Sequence, residues 1–351
     1  MEKYLQIGKR KIGPGHPAYI VAELSANHNH SFEEAAALVR KAKEVGADAV
    51  KLQTYTADTI TIKSDKDYFK VGGGTLWDGK TLYDLYQSAY TPWEWQPKLE
   101  KIGREIGIDV FTTPFDHTAV DFIEKEMDIP VYKVASFEIV DIPLIKKITK
   151  TGKPIIMSTG MANLEEIQDA VTAVEESGGT QLALLKCTSA YPAPPEEMNI
   201  ISIPFLAERF CVPSGLSDHT MGSTVAVASI ALGACIIEKH FTMSRSIAGP
   251  DSAFSMEPAE FKEMVNNIRI AEKALGKVSF GPAGKESKSR IFRRSLFAVK
   301  EIKRGEVFTE GNIRSIRPGM GLAPKYFHAV LGKKAKQNIE AGTPLAWNLI
   351  E

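Results

Sequence analysis

Up to about residue 280 the chain alternates short, β-branched apolar runs with longer stretches whose apolar residues recur at helical spacing. Eight of these runs predict buried strands, at 19–23, 49–53, 109–113, 131–135, 154–158, 182–186, 212–217 and 235–240. The stretches between them predict helices at about 32–45, 95–106, 143–151, 164–177, 203–209 and 224–232. Eight strand–helix units are typical of a (β/α)8 TIM barrel of the α/β class. An open doubly wound sheet is the main alternative, although no GxGxxG motif follows the first strand.

One connection interrupts this alternation. Residues 54–92 are too many for a simple strand-to-helix loop, and they include three consecutive glycines and many aromatic residues. Long loops in compact domains commonly form lids or binding loops. We therefore expect this insertion to contribute to a ligand site.

The pattern changes after residue 282. The small, polar stretch 283–292 is typical of a linker. Residues 293–351 contain short strand-like pieces separated by Gly and Pro turns, which predicts a small, mostly β domain after a barrel domain at 1–282. The net charge is +8 from Lys285 to Glu351 and −8 before it. We expect the basic tail to dock onto an acidic partner surface or an anionic substrate.

The overall composition excludes several classes of protein. A hydrophobic content of 44% and a charged content of 25% are globular values, which excludes a disordered or fibrous chain. The chain has 43 basic and 43 acidic residues, so we expect no nucleic-acid or membrane partner. Three cysteines without a CxxC pair, and no long apolar segment, favour a cytoplasmic location.

The carboxyl ends of the predicted strands carry unusually many polar residues. Active sites of barrels lie at this end. The set consists of Glu23, Lys51, Gln53, Thr113, Lys133, Ser136, Glu138, Ser158, Lys186, Thr188, Ser189, Ser217, Asp218, His219, Glu238 and His240. A buried lysine is costly without an anionic partner, so several converging lysines and hydroxyls predict a site for a small anion bearing phosphate and carboxylate groups. The alternative is that each lysine snorkels to solvent or pairs with a nearby acid.

Two of these residues, His219 and His240, end consecutive predicted strands. Neutral imidazole is a common metal ligand, and two histidines with oxygen ligands suit Mn²⁺, Mg²⁺, Fe²⁺ or Zn²⁺. A pair of hydrogen-bonded core histidines is the alternative. We favour the metal site because both residues lie at the predicted active-site end of the barrel.

A family resemblance appears at these same residues. The segments AELSANHNHS, GADAVKLQTYT, TTPFD, YKVASFE, PIIMSTGMA, LKCTSAYPAPPEEMN, GLSDHTMG and GACIIEKHFT resemble the sialic acid synthase family of phosphoenolpyruvate-dependent nonulosonate synthases. The tail RSLFAVKEIKRGEVFTEGNIRSIRPGMGL looks like the antifreeze-like (SAF) domain that ends those enzymes. Within the family, the insertion GGGTLWDGKTLYDLYQSAYTPWEWQ looks most like the pseudaminic acid synthase branch.

The resemblance implies a reaction and a set of site residues. The family condenses phosphoenolpyruvate with an N-acyl amino sugar, using a divalent metal that we expect to be Mn²⁺, with Mg²⁺ or Co²⁺ as alternatives. By similarity, phosphoenolpyruvate is held by Lys51, Thr113, Lys133, Ser136, Ser158, Ser189 and Ser217, although Ser189 replaces the Asn common in neuraminate synthases. The sugar is faced by Glu23, Gln53, Tyr191 and Asp251. The metal is bound by His219 and His240, and the attacking water is handled by Glu138. Glu138, Glu23 and His219 are thereby the expected catalytic residues. Arg317 matches an arginine that the SAF domain of the other subunit supplies, which implies a domain-swapped homodimer.

Other functions compete with this interpretation. A Schiff-base aldolase could use Lys133 or Lys186 on the same barrel and would need no metal. A non-catalytic sugar-binding protein would bind the sugar without releasing phosphate. A synthase of neuraminic acid, legionaminic acid or a spore-coat sugar would share the mechanism and differ in the sugar.

Overall fold

The computed structural model of the protein describes residues 1–72, 74, 77–247 and 249–351, and its central feature is an eight-stranded barrel. Two short strands, β1 (Leu5–Ile7) and β2 (Arg10–Ile12), come before it. The barrel strands are β3 (Tyr19–Glu23), β4 (Ala49–Thr54), β5 (Asp109–Pro114), β6 (Tyr132–Val134), β7 (Ile155–Ser158), β8 (Leu182–Cys187), β9 (Ser214–Asp218) and β10 (Ile236–His240). All eight predicted strands are therefore present, with ends shifted by at most two residues.

The last barrel strand closes the sheet against the first. β10 pairs in parallel with β3, so that Ile236 lies opposite Tyr19 and His240 opposite Glu23. A closed parallel sheet confirms the (β/α)8 barrel and excludes the open doubly wound alternative. The strands are buried almost throughout, which explains why they read as continuous apolar runs in the sequence.

The six helices predicted from the sequence are present within two residues of their expected ends, whereas the helices at Ala57–Ile60, Leu82–Ala89, His117–Glu126 and Pro258–Leu275 are absent from that prediction. Together these helices connect the strands. They are α1 (Phe32–Glu44), α2 (Ala57–Ile60), α3 (Leu82–Ala89), α4 (Gln96–Ile106), α5 (His117–Glu126), α6 (Ile142–Thr149), α7 (Leu164–Glu176), α8 (Ser202–Phe210), α9 (Thr224–Ala231) and α10 (Pro258–Leu275). Local signals fix their ends: Asn163 and Glu166 form a capping box at the start of α7, and Gly107 ends α4 in a left-handed conformation. The insertion contributes α2 and α3.

The β1–β2 hairpin is absent from the sequence-based prediction. Its strands pair antiparallel, and Leu5, Ile7 and Ile12 are buried in the same hydrophobic cluster as Tyr19 and Phe111 of the barrel. The hairpin therefore adds apolar side chains to the barrel core. Among the described residues no helix has the length and hydrophobicity needed to span a bilayer.

Residues 277–351 form a second compact unit. The segment predicted as a linker, 283–292, belongs to this unit, and its residues Gly284–Phe292 form a 3-10 helix. Strands β11 (Ser295–Ala298) and β12 (Ile313–Ile316) pair antiparallel, and a short helix, α11 (Phe327–Val330), follows. Near the end of the chain Pro344 forms one bridge with Phe297, and the backbone then turns into the 3-10 helix Trp347–Leu349.

Candidate active site

A cavity of about 540 Å³ opens at the carboxyl ends of the barrel strands. Most of the residues predicted from the sequence line it: Glu23, Lys51, Gln53, Lys133, Ser136, Glu138, Ser158, Tyr191, Ser217, His219, His240 and Asp251. The parallel register explains their convergence, because every barrel strand delivers its last residues to the same end.

The floor of the cavity is a buried cluster of lysines and carboxylates. The Lys51 ammonium lies 3.0 Å from Glu23 Oε2 and 3.2 Å from Glu238 Oε1. Lys133 Nζ lies 3.4 Å from the same Glu238 oxygen and donates to Ser158 Oγ at 2.8 Å. Glu238 Oε1 also accepts a hydrogen bond from Ser217 at 3.2 Å. Glu238 therefore joins both lysines to the serine hydroxyls.

The charges of this cluster shift one another's pKa values. Burial opposes ionisation of Glu238, but the ammonium groups of Lys133 and Lys51 outweigh it and lower its pKa to about 2. Burial alone would lower the pKa of Lys51, whereas Glu23 and Glu238 raise it above the ordinary value. For Lys133 burial dominates, and its pKa falls. The floor thus presents cationic groups that are already fixed in position by carboxylates.

Two residues assigned to phosphoenolpyruvate are not among the lining side chains. Thr113 is fully buried in β5, and its Oγ1 has no hydrogen-bond partner within the described part of the chain. Ser189 lies close to Gly160: a Cβ added at Gly160 would come within 2.8 Å of Ser136 Oγ and closer still to Ser189 Oγ. The Gly160 amide donates to Ser136 Oγ at 3.2 Å. A glycine is therefore needed for these serines to approach the loop after β7.

A chain of hydrogen bonds forms one side of the cavity. Gln53 Nε2 donates to Glu23 Oε1 at 2.8 Å and to Ser25 Oγ at 3.1 Å. Ser25 in turn donates to Asp251. Tyr191 stacks on His219, with ring centroids 4.3 Å apart. Amide, hydroxyl and carboxylate groups in this order are suited to the hydroxyl and acylamino groups of a sugar.

The two histidines fit a metal site. Their ring centroids lie 5.4 Å apart. His219 Nδ1 lies 2.8 Å from the carbonyl oxygen of Thr188, which can only accept, so Nε2 keeps its lone pair. His240 Nδ1 is buried and has no hydrogen-bond partner within the described residues, and burial lowers the pKa of His240 well below its ordinary value. Burial opposes the charged form of His219, but the neighbouring Cys187 thiol outweighs it and raises the pKa of His219. In its neutral form each ring offers a nitrogen to a cation, and at His219 the cation competes with a proton.

Protein ligands beyond these histidines are few. Across residues 1–72, 74, 77–247 and 249–351, no group of three or more His, Cys, Asp or Glu side chains could hold a metal ion. Two histidines would leave several coordination positions for water or substrate oxygens, as catalytic metal sites do.

Glu138 follows β6 in the 3-10 helix Ser136–Glu138 and lines the cavity. Its Oε2 atom is buried and without a hydrogen-bond partner among the described residues. Burial raises the pKa of Glu138 to about 7, although Lys133 partly opposes the effect. A carboxyl group that titrates near neutrality can exchange protons with substrate or water.

Two residues of the site have no assigned role in the sequence-based prediction. Glu238 stands at a strand end, but nothing in the sequence shows that it pairs with two lysines. Ser25 lies in the loop after β3 with a positive φ of 44°, and it joins Gln53 to Asp251.

Arg317 belongs to the second compact unit, between β12 and Pro318.

Comparisons with known proteins agree with the motifs. Residues 38–280 match the NeuB family, and residues 293–351 match the SAF domain. The pseudaminic acid synthase of Helicobacter pylori is 46% identical, over 95% of this chain and 98% of that protein. A pseudaminic acid synthase of Campylobacter jejuni is 46% identical, over 93% of this chain and 95% of its own. The crystal structure of spore coat polysaccharide biosynthesis protein SpsE from Bacillus subtilis matches with a TM-score of 0.67 at 33% identity, covering 99% of both chains. The chain belongs to the NeuB family, that of the sialic acid synthases, and ends in a SAF domain.

Proposed function

We propose that the protein condenses phosphoenolpyruvate with 2,4-diacetamido-2,4,6-trideoxyaltrose to give pseudaminic acid and phosphate. The 46% identity to pseudaminic acid synthases over nearly the whole chain supports the choice of sugar. The observation that carries the chemistry is a single cavity that combines a lysine-rich floor, a pair of histidines and a chain of sugar-binding groups.

The floor is suited to phosphoenolpyruvate. Its phosphate and carboxylate groups would meet the ammonium groups of Lys51 and Lys133 and the hydroxyls of Ser136 and Ser158. Charge-assisted hydrogen bonds of this kind are about twice as strong as neutral ones, and they fix the orientation of the ligand. Because Glu238 already holds both lysines, little rearrangement is needed when the anion binds.

His219 and His240 would hold a divalent cation, which we propose to be Mn²⁺, with Mg²⁺ or Co²⁺ as alternatives. Such an ion supplies Lewis-acid polarisation of an aldehyde oxygen when it is bound. The protein's own contribution is orientation: the Thr188 carbonyl fixes the ring of His219, and Tyr191 packs against it.

The reaction forms a C–C bond to the sugar and a C–O bond from water to C2, and it breaks the C–O bond between C2 and the phosphate. The C2=C3 electron pair of phosphoenolpyruvate attacks the sugar aldehyde, whose oxygen then takes a proton, and C2 becomes an oxocarbenium ion. Water adds to C2 and gives its proton to Glu138. The tetrahedral carbon then expels phosphate and, on losing its hydroxyl proton, becomes the keto group of the product. Lys51 and Lys133 neutralise the departing phosphate.

The first experiment is to measure phosphate release from phosphoenolpyruvate in the presence of Mn²⁺, with product mass read in parallel. The trideoxy-diacetamido sugar, its legionaminate-type isomer and N-acetylmannosamine are compared. Release with the first sugar alone supports pseudaminic acid synthesis. Release with another sugar alone assigns the protein to that branch with the mechanism intact, and no release with any of them refutes the proposed chemistry.

The Schiff-base alternative has its own test, which is trapping with borohydride in the presence of pyruvate. Its two lysines are both engaged: Lys133 with Glu238 and Ser158, and Lys186 Nζ with the carbonyl of Cys187. Burial lowers the pKa of both lysines, which favours the free amine that a Schiff base requires. We nevertheless expect no covalent adduct by mass spectrometry, because Glu238 and Ser158 already engage Lys133 and because Lys186 does not line the cavity.

We further propose that Arg317 acts in the site of a second copy in a domain-swapped homodimer. Mixing the inactive variants Glu138→Gln and Arg317→Ala tests this directly. In swapped heterodimers one barrel keeps Glu138 and receives an intact Arg317, so random pairing should restore roughly a quarter of wild-type activity. If Arg317 serves its own barrel, no mixed dimer contains a complete site, and the mixture stays inactive.

A further inference from the structure

The residues that line the cavity fall into two chemically different groups. Charged and polar groups of the barrel strands form its floor. A second group of lining residues is apolar and consists of Ile60, Val71, Leu82, Leu85 and Ala89. We name this surface the aliphatic wall. All five residues come from the insertion between β4 and α4, which the sequence predicts to contribute to a ligand site.

Hydrogen bonds hold the segments of the wall in place. The Val71 amide donates to the Lys80 carbonyl at 2.8 Å, and the Gly79 amide donates to the Val71 carbonyl at 3.0 Å. Thr81 caps the start of α3, which carries the three C-terminal members of the wall. His30 Nε2 donates to the Ser88 carbonyl at 2.9 Å and so ties the end of α3 to the loop after β3. The wall is therefore a built surface rather than a free loop.

The position of the polar groups orients the sugar. Its aldehyde carbon must lie by the floor and the histidines, where phosphoenolpyruvate reacts. Gln53 and Asp251 are joined through Ser25, and Gln53 also bonds to Glu23. With the aldehyde at the floor, these groups face the middle of the sugar's carbon chain. The end of the sugar farthest from the aldehyde is left to the aliphatic wall.

We propose that the aliphatic wall determines sugar specificity by receiving the C6 methyl group of a 6-deoxy sugar. This inference rests on the proposed function. A methyl group gains free energy when it leaves water for such a surface. A C6 hydroxyl placed there loses its hydrogen bonds to water, and aliphatic carbons offer none in return.

Tyr86 also lines the cavity, next to the wall residues. It lies on α3 between Leu85 and Ala89 and meets Tyr55 edge to face, with ring centroids 5.7 Å apart. Trp77 is held by its indole N–H, which donates to the Pro250 carbonyl at 3.0 Å. Aromatic rings that line the cavity can pack against the sugar while the polar chain binds its substituents.

The test compares two sugars that differ only at C6: the 2,4-diacetamido-2,4,6-trideoxy aldose and its 6-hydroxy counterpart. Phosphate release gives kcat/KM for each. For the wild-type enzyme we expect a preference of about 10- to 100-fold for the 6-deoxy sugar, the range by which apolar pockets discriminate such groups. A ratio near one overturns the inference, and it does so without any variant.

Two variants locate the preference on the wall. Val71→Thr keeps the shape of the side chain and replaces one methyl group by a hydroxyl, and Leu82→Asn makes a larger polar change at the start of α3. We expect each to reduce the 6-deoxy to 6-hydroxy ratio by roughly tenfold, with KM for phosphoenolpyruvate unchanged. Val225→Thr is the matched control, because Val225 lies on α9 and does not line the cavity.

The outcomes separate the two levels of the proposal. A ratio that stays at the wild-type value in both variants overturns the role of the wall and leaves the proposed function standing. No phosphate release from either sugar by the wild-type enzyme overturns the proposed function and the wall's role with it.

Discussion

Replacing Glu138 by Gln should make the protein more stable and nearly inactive at the same time. The carboxyl group is largely buried beside the cavity, and one of its oxygens has no hydrogen-bond partner within the described residues. Burial raises its pKa from 4.5 to about 7. The fold therefore penalises the ionised form that the proposed water activation requires.

The size of that penalty follows from the pKa shift. A shift from 4.5 to about 7 corresponds to roughly 3 kcal/mol between the two protonation states. Because the pKa is raised in the folded state, the penalty is absent below pH 4.5, grows between pH 4.5 and 7, and is complete above 7. Gln cannot ionise, so the Glu138→Gln variant escapes a penalty that begins above pH 4.5 and is largest above pH 7.

Thermal unfolding at several pH values measures this effect. We expect equal Tm values for the variant and the wild type near pH 4, and a Tm several degrees higher for the variant at pH 8, since about 1 kcal/mol moves Tm by roughly 2–4 °C in a large domain. Turnover should fall about 10²- to 10⁴-fold, the usual contribution of a general base. The wild-type kcat should decrease as the pH falls through about 7, because protonated Glu138 cannot accept a proton from water.

Glu196→Gln is the control, because Glu196 is exposed and outside the cavity. It should leave both Tm and kcat as in the wild type at every pH. A near-normal kcat in Glu138→Gln would refute the role of Glu138 in handling water. A gain in Tm that is the same at pH 4 and pH 8 would refute the electrostatic explanation of its pKa.

Three other substitutions test separate parts of the structure. Gly160→Ala places a Cβ within 2.8 Å of Ser136 Oγ and closer still to Ser189 Oγ, so KM for phosphoenolpyruvate should rise roughly tenfold in initial-rate kinetics, with KM for the sugar little changed. His219→Ala should lose both Mn²⁺ binding in titration calorimetry and metal-dependent turnover, and retained turnover would exclude it as an essential ligand. Asp48→Ala removes a carboxylate at the start of β4 that accepts a backbone N–H and pairs with two arginines. Urea unfolding should show a loss of about 2–3 kcal/mol in the free energy of unfolding, with kcat unchanged. An altered kcat would contradict a purely structural role for Asp48.

The fold can be predicted from the sequence where elements are long and apolar, and the prediction fails where elements are short. Runs such as YIVAE at 19–23 are buried on both faces, so their composition alone marks them as strands. The hairpin strands Leu5–Ile7 and Arg10–Ile12 have three residues each, too few for an alternation to stand out. Their order comes from packing against Tyr19 and Phe111, which no local pattern records.

The site follows from the sequence only as far as topology determines it. Strand ends of a parallel barrel must converge, so the polar residues of those ends can be grouped from the strand pattern alone. Ser25 is missed by this reasoning because its role depends on a left-handed backbone conformation in the loop after β3, which aims its hydroxyl between Gln53 and Asp251. A non-glycine residue with positive φ is not visible in a sequence.

The lysines show why residue types alone do not define an anion site. Sequence reasoning requires an anion for each buried lysine, and the structure supplies one internally, because β10 places Glu238 opposite Ser217 of β9 and within 3.4 Å of both ammonium groups. Pairing with Glu238 would by itself be consistent with a purely structural cluster. What distinguishes this cluster is that Lys51 and Lys133 line an open cavity together with serine hydroxyls and two histidines. A structural ion pair has no need of such access, whereas a ligand site requires it, so Glu238 is best understood as the group that holds the lysines ready for their anion.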